Sequence, residues 1–189
     1  MLQSSNNALG TICVSAFTVG MRIKMFFISP LENLGIAMAT YCGQNLGAGK
    51  YDRIRKGLKI VIGITWVWCL LVVIVSYTIV PVFIKMVTGT YNDKIVDTAT
   101  LYLKVNTILY FVCTIICIMR NALQGIGDTK TPVISSSIEL ITKVAVAVML
   151  TPYMGYMAII IAEPVSWVLM VIPILIQMWR NPIINTRKV

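Results

Sequence analysis

Histidine is absent from the 189 residues, and Asp and Glu together number only 7. Without imidazole the chain has neither the commonest general base near neutral pH nor the commonest nitrogen ligand for a metal. No serine-nucleophile motif stands out in the sequence, and the acidic residues form no metal-binding cluster. An enzyme is therefore not expected, and neither is a bound cofactor. Charge of both signs is scarce, at 12% of residues, about half of the roughly 25% usual in a soluble domain. That shortage excludes a water-solvated globule, because there is too little polar surface to cover one. The five cysteines, Cys13, Cys42, Cys69, Cys113 and Cys117, lie in or beside apolar runs. They form no disulfide framework. Cys113 and Cys117 share a helix face at i, i+4, but two thiols without further clustered ligands make a poor zinc site, so they read as small packing residues.

What the sequence has in abundance is apolar length. Hydrophobic residues make up 58% and mean hydropathy is +0.83, values that suit a lipid bilayer as solvent. A spanning helix needs about 20 apolar residues, and five stretches qualify. Residues 25–43 are broken only by Ser29-Pro30 and Glu32-Asn33, and 11–24 extend that helix outward. Residues 60–80 carry no charge. Residues 101–119 are interrupted by Lys104 and Asn106, with Asp93 placed to cap the helix from 93. Residues 133–150 contain Glu139 and Lys143, and 157–178 contain Glu163. Residues 1–10 lack the basic segment and cleavage site of a signal peptide and read as the end of an earlier helix. The expected class is an all-α integral membrane bundle of five full transmembrane helices plus the end of a sixth. Breakers separate the spans: Gly47-Ala48-Gly49; Gly89, Asn92 and Asp93; Gly125-Ile126-Gly127-Asp128 with Pro132; and Pro152 with Gly155.

The net charge of +9 does not point to nucleic acid, because the basic residues cluster between apolar runs as in cytoplasmic loops. Lys50, Arg53, Arg55, Lys56 and Lys59 crowd the segment after the first full span, Arg120 and Lys130 that after the third, and Arg180, Arg187 and Lys188 follow the last. These ten fall on one side. Arg22, Lys24, Lys85, Lys94 and Lys104 are assigned to the other. The excess places the first group, and the C-terminus, in the cytoplasm.

Gly43-Gln44-Asn45-Leu46-Gly47-Ala48-Gly49-Lys50-Tyr51 invites a phosphate-loop reading. That motif, however, needs glycine five residues before Gly49, where Gln44 stands, and Ser or Thr after Lys50, where Tyr51 stands. The segment is expected to be a tight turn instead. Charges at membrane depth are costly and tend to be functional, which singles out Glu32, Glu139 and Glu163. Glu139 and Lys143 are spaced for an i, i+4 pair in the favourable order. They read either as a structural pair or as a carboxylate that holds a proton or cation. Pro30, Pro164 and Pro173 fall inside spans, and broken helices are frequent at transporter binding sites.

Three stretches carry a resemblance. Ala39 to Arg53 resembles the signature of the multidrug and toxic compound extrusion (MATE) family, Arg120 to Pro132 resembles that family's later cytoplasmic loop, and Ala162-Glu163-Pro164-Val165-Ser166-Trp167 looks like the start of its last helix. The loop residues of the resemblance are Gly43, Gln44, Asn45, Gly47, Gly49, Gly125, Gly127 and Asp128. It implies one six-helix lobe of a twelve-helix transporter. Residues 1–10 would be the end of helix seven, 11–43 helix eight, 60–80 helix nine, 93–119 helix ten, 133–150 helix eleven and 157–178 helix twelve. It further implies an antiporter of the plasma membrane exporting drugs or organic cations against Na⁺ or H⁺ influx, with the bilayer, a small-molecule substrate and a missing N-terminal lobe as partners. Some family members hold the coupling cation on acidic residues of the seventh and tenth helices. Residues 101–119 contain none, so no cation ligand carries over. A lipid-linked oligosaccharide flippase of the same superfamily and an inactive half-transporter are the alternatives. A groove with several basic residues would favour the flippase, and Lys143 is expected to be the only deep one.

Overall fold

A computed structural model describes residues 11–88 and 93–185. The helix end expected at 1–10, the breakers Gly89 and Asn92, and Arg187 and Lys188 lie outside the described residues. The described residues form seven helices in order: α1 (Thr11–Gly47), α2 (Tyr51–Thr78), α3 (Val80–Thr88), α4 (Asp93–Ile108), α5 (Tyr110–Gly125), α6 (Lys130–Met154) and α7 (Tyr156–Arg180). Four are long and apolar enough to span a membrane, and α4 with α5 makes a fifth span bent by 57°. The architecture is thus an all-helical membrane bundle, with no strand among the described residues.

α1, with 37 residues, is about 55 Å long at 1.5 Å per residue, longer than the roughly 30 Å hydrocarbon core. It and α5 form the centre of the bundle through a seam of small residues. Gly35, Ala39 and Gly43 recur every fourth position on α1, so they share one face. A Cβ on Gly35 would meet Asn121 and the Cys117 carbonyl, one on Gly43 would meet the Gly125 carbonyl at 3.1 Å, and one on Gly125 would overlap the backbone of Ala39. In lipid the apolar effect drives no helix association, so contact of this closeness is what holds two helices together.

α1 and α5 end in the same way. Gly49 has φ +68° and Gly127 φ +88°. Lys50 N–H reaches the Asn45 carbonyl and Gly49 N–H the Leu46 carbonyl, at 2.8 and 2.9 Å; Asp128 N–H and Gly127 N–H do the same to Leu123 and Gln124, at 2.9 and 3.0 Å. Each is a left-handed glycine cap satisfying the last carbonyls. The turn after α1 is short, so α2 starts at Tyr51, and Arg53, Arg55, Lys56 and Lys59 stand on its first turns rather than in a loop. Arg55 donates to the carbonyls of Pro182 and Ile183, tying α2 to the segment after α7.

The break between α4 and α5 falls at Leu109, with neither Gly nor Pro at the position. Two residues competing for backbone acceptors precede it: Asn106 amide donates to Tyr102 O at 2.8 Å and Thr107 hydroxyl to Lys104 O at 3.4 Å. Such back-bonding bends helices, and Leu109 N–H closes onto Asn106 O, one residue tighter than an α-helix. Asn106 also reaches Ile160 O on α7 at 3.4 Å. That carbonyl is the one left without its helical donor by Pro164. The outward faces of α2 and α6 expose Ile60, Val67, Leu70, Ile74, Val133, Ile141 and Met149, apolar surface of the kind that suits a bilayer.

Candidate functional site

α1, α5, α6 and α7 enclose an open cavity of about 490 Å³. Its lining includes Lys24, Glu32, Arg120, Glu139 and Lys143, with Cys113, Cys117, Trp167 and Met170. Three of the four charged candidates from the sequence, Glu32, Glu139 and Lys143, thus face one space. Glu139 sits nine residues into α6, about 14 Å from the glycine-turn end, and its carboxylate accepts from Lys143 Nζ at 2.6 Å. Both side chains are about a quarter exposed, so the pair opens onto the cavity. Glu32 is exposed and takes no part in the ion pairs of the described residues.

Glu163 is not part of the lining but lies directly behind it. It stands seven residues into α7, about 10 Å from the opposite end, and is 4% exposed. Lys24 Nζ lies 2.5 Å from each of its oxygens, and Tyr102 hydroxyl donates to Oε2 at 2.9 Å. The ammonium also sits 5.6 Å over the Trp167 ring, a favourable cation–π placement. Tyr102 itself is wedged between Phe17, at 5.6 Å ring to ring, and Gly20, where a Cβ would strike its ring. The carboxylate therefore arrives with a countercharge and a donor already in place, which is how a charge is tolerated at this depth.

Lys24 and Tyr102 were not singled out as site residues by sequence. Charge distribution along the sequence assigns Lys24 to the outer side with Arg22, whereas α1 carries it into the bundle against α7, and Arg120 joins it at the cavity. Lys143 is accordingly not the only basic residue deep in the lobe. The available signal was a lone lysine inside the 11–43 helix, eight residues before Glu32 and so on the same face.

The glycine-loop residues lie at the ends of α1 and α5, outside the lining. Asn45 amide donates to Tyr41 O. Asp128 accepts from Thr131 N–H at 3.1 Å, from its hydroxyl at 2.8 Å and from Gln177 at 2.7 Å, joining the start of α6 to the end of α7. Partial burial alone would raise the Asp128 pKa, but these donors outweigh it and hold the carboxyl below its ordinary value. Among the described residues no group of three or more Cys, Asp or Glu is placed to hold a metal ion.

A protein-family model described as MatE matches residues 4–149. No curated protein matches the chain. Among solved structures, a crystal structure of MATE in the bent conformation superposes with a TM-score of 0.88 at 14% identity, covering all of this chain and 43% of that one. MATE in complex with MaL6 gives 0.80 at 15% identity, covering 95% and 40%. A MOP superfamily transporter from Pyrococcus furiosus, described as having a binding pocket of reverse polarity that suggests a different function, gives 0.80 at 14% identity, covering 97% and 40%. At these identities the likeness is one of fold. The chain spans about two fifths of the solved chains it matches.

Proposed function

The chain belongs to the MatE family, a family of membrane transporters, and on that premise we propose that it forms one lobe of a secondary antiporter that exports drugs or organic cations against Na⁺ or H⁺ influx. Its partners are the bilayer, the small-molecule substrate and an N-terminal lobe, in a plasma membrane with the C-terminus cytoplasmic. The observation that carries the reading is the open cavity in which Glu32, in no ion pair among the described residues, stands beside the partly exposed Glu139–Lys143 pair. A carboxylate there holds either the coupling cation or a cationic substrate but not both, and that exclusivity couples the exit of one to the entry of the other as the lobes rock about the site. The paired Glu163, closed off by Lys24 and Tyr102, is a second carboxylate whose release from Lys24 would accompany such a cycle. No step needs a cofactor.

A flippase reading for an anionic lipid-linked substrate gains support from Lys24, Arg120 and Lys143 at the same cavity, and the MOP superfamily transporter of reverse pocket polarity offers a parallel in fold. The deciding experiment is transport by the protein containing this lobe, reconstituted in proteoliposomes with imposed pH or Na⁺ gradients. Gradient-driven efflux of an organic cation, reduced about 10-fold or more (about 1.4 kcal/mol or more) by Glu32→Gln or Glu139→Gln, is expected. Efflux unaffected by both substitutions, or movement of an anionic lipid analogue instead, would overturn the antiporter reading.

A further inference from the structure

The transport reading leaves the two cavity thiols unused. Cys113 and Cys117 are four residues apart on α5, both line the cavity, and their Sγ atoms are 4.0 Å apart. Two sulfurs bonded to one three-coordinate, pyramidal soft centre at about 2.3 Å each would lie roughly 3.3–3.5 Å from one another, so a small side-chain rotation brings the pair into register for bidentate capture. A metal ion in a closed protein site would want further ligands, and the described residues place no third one with the thiols. A centre that brings its own third substituent has no such need.

We propose that Cys113 and Cys117 form a binding site for monosubstituted trivalent arsenicals, R–As(OH)₂. Two As–S bonds form and two As–O bonds break. Each thiol proton leaves with one hydroxide as water, and arsenic stays trivalent throughout. The product carries no net charge, which matters because an uncompensated charge at this depth is costly. The organic substituent then occupies the cavity beside Met21, Met25, Trp167 and Met170, where soft and aromatic side chains suit an aryl group. The remaining described thiols lack this setting. Cys42 and Cys69 are buried outside the lining, and Cys69 Sγ lies 3.1 Å from the Thr114 hydroxyl.

The test uses the full chain in its membranes, in a Cys13→Ser background, with phenylarsine oxide as probe. Expected is a single adduct that protects both thiols from maleimide, resists glutathione and is reversed by a dithiol. Cys113→Ser and Cys117→Ser should each weaken retention about 100-fold, the gain that chelation gives over one contact, while Cys42→Ser and Cys69→Ser leave it unchanged. Far-UV circular dichroism confirms that each variant keeps its helices. Equal retention in the single-thiol variants, an adduct on Cys42 or Cys69, or unprotected thiols in a folded chain would overturn the assignment. Equal protection by zinc(II) alone would overturn it too, making the pair a metal site. Transport does not enter the readout, so the result is independent of the antiporter reading.

Discussion

Lys24 and Glu163 are the two charges with least access to solvent in any ion pair described, at 13% and 5% side-chain exposure. Removing either partner leaves a buried charge unmatched, which costs about 3–5 kcal/mol, whereas removing both is close to neutral. Lys24→Met and Glu163→Gln should therefore each destabilise the lobe by that order, and the double variant should recover most of it. Thermal unfolding in lipid nanodiscs, run as a double-mutant cycle, checks this; additive losses would mean that the pair is not coupled. Asp128 behaves differently because it sits in a turn. Its folded-state pKa is depressed, so its contribution is fully present above the ordinary Asp value of about 4 and is lost as pH falls through the lowered one. Asp128→Asn should melt below the parent at neutral pH, and the gap should close on acidification. Melting curves across pH 2 to 7 (roughly the span over which an Asp titrates) check it.

Among the elements, the α1–α5 seam tolerates no added volume. At Gly125 the obstacle is the Ala39 backbone, which has no rotamer to change, so the helices must separate. Gly125→Ala should cost about 1–3 kcal/mol, as overpacking does. Gly47, also helical but in the earlier glycine-rich stretch, has open space around its Cβ position and no positive φ. Gly47→Ala should be neutral or stabilising by up to about 1 kcal/mol. Melting the two variants side by side separates a packing glycine from a permissive one, a distinction invisible in the repeated Gly pattern. The α4–α5 break was equally hidden, because it arises from Asn106 and Thr107 bonding backward and not from a helix breaker.

On the scale of the whole molecule, the exposed apolar faces of α2 and α6 and the charged cavity lie on one bundle, and the lobe matches about two fifths of the solved transporters. The bundle, its five spans and the pairing of Glu139 with Lys143 were legible in the chain, because apolar length and i, i+4 spacing are local properties that the bilayer and the helix enforce directly. Glycines 49 and 127 were legible as turns for the same reason. Local pattern could not bring Lys24 to Glu163 across 139 residues, turn Tyr102 onto that carboxylate, or gather Glu32, Arg120 and Glu139 about one space. Those placements depend on which helix faces meet. In lipid, where every apolar face is equally at ease, that choice falls to the close fit of Gly35, Ala39 and Gly43 against α5 and to the few buried polar groups that must find one another.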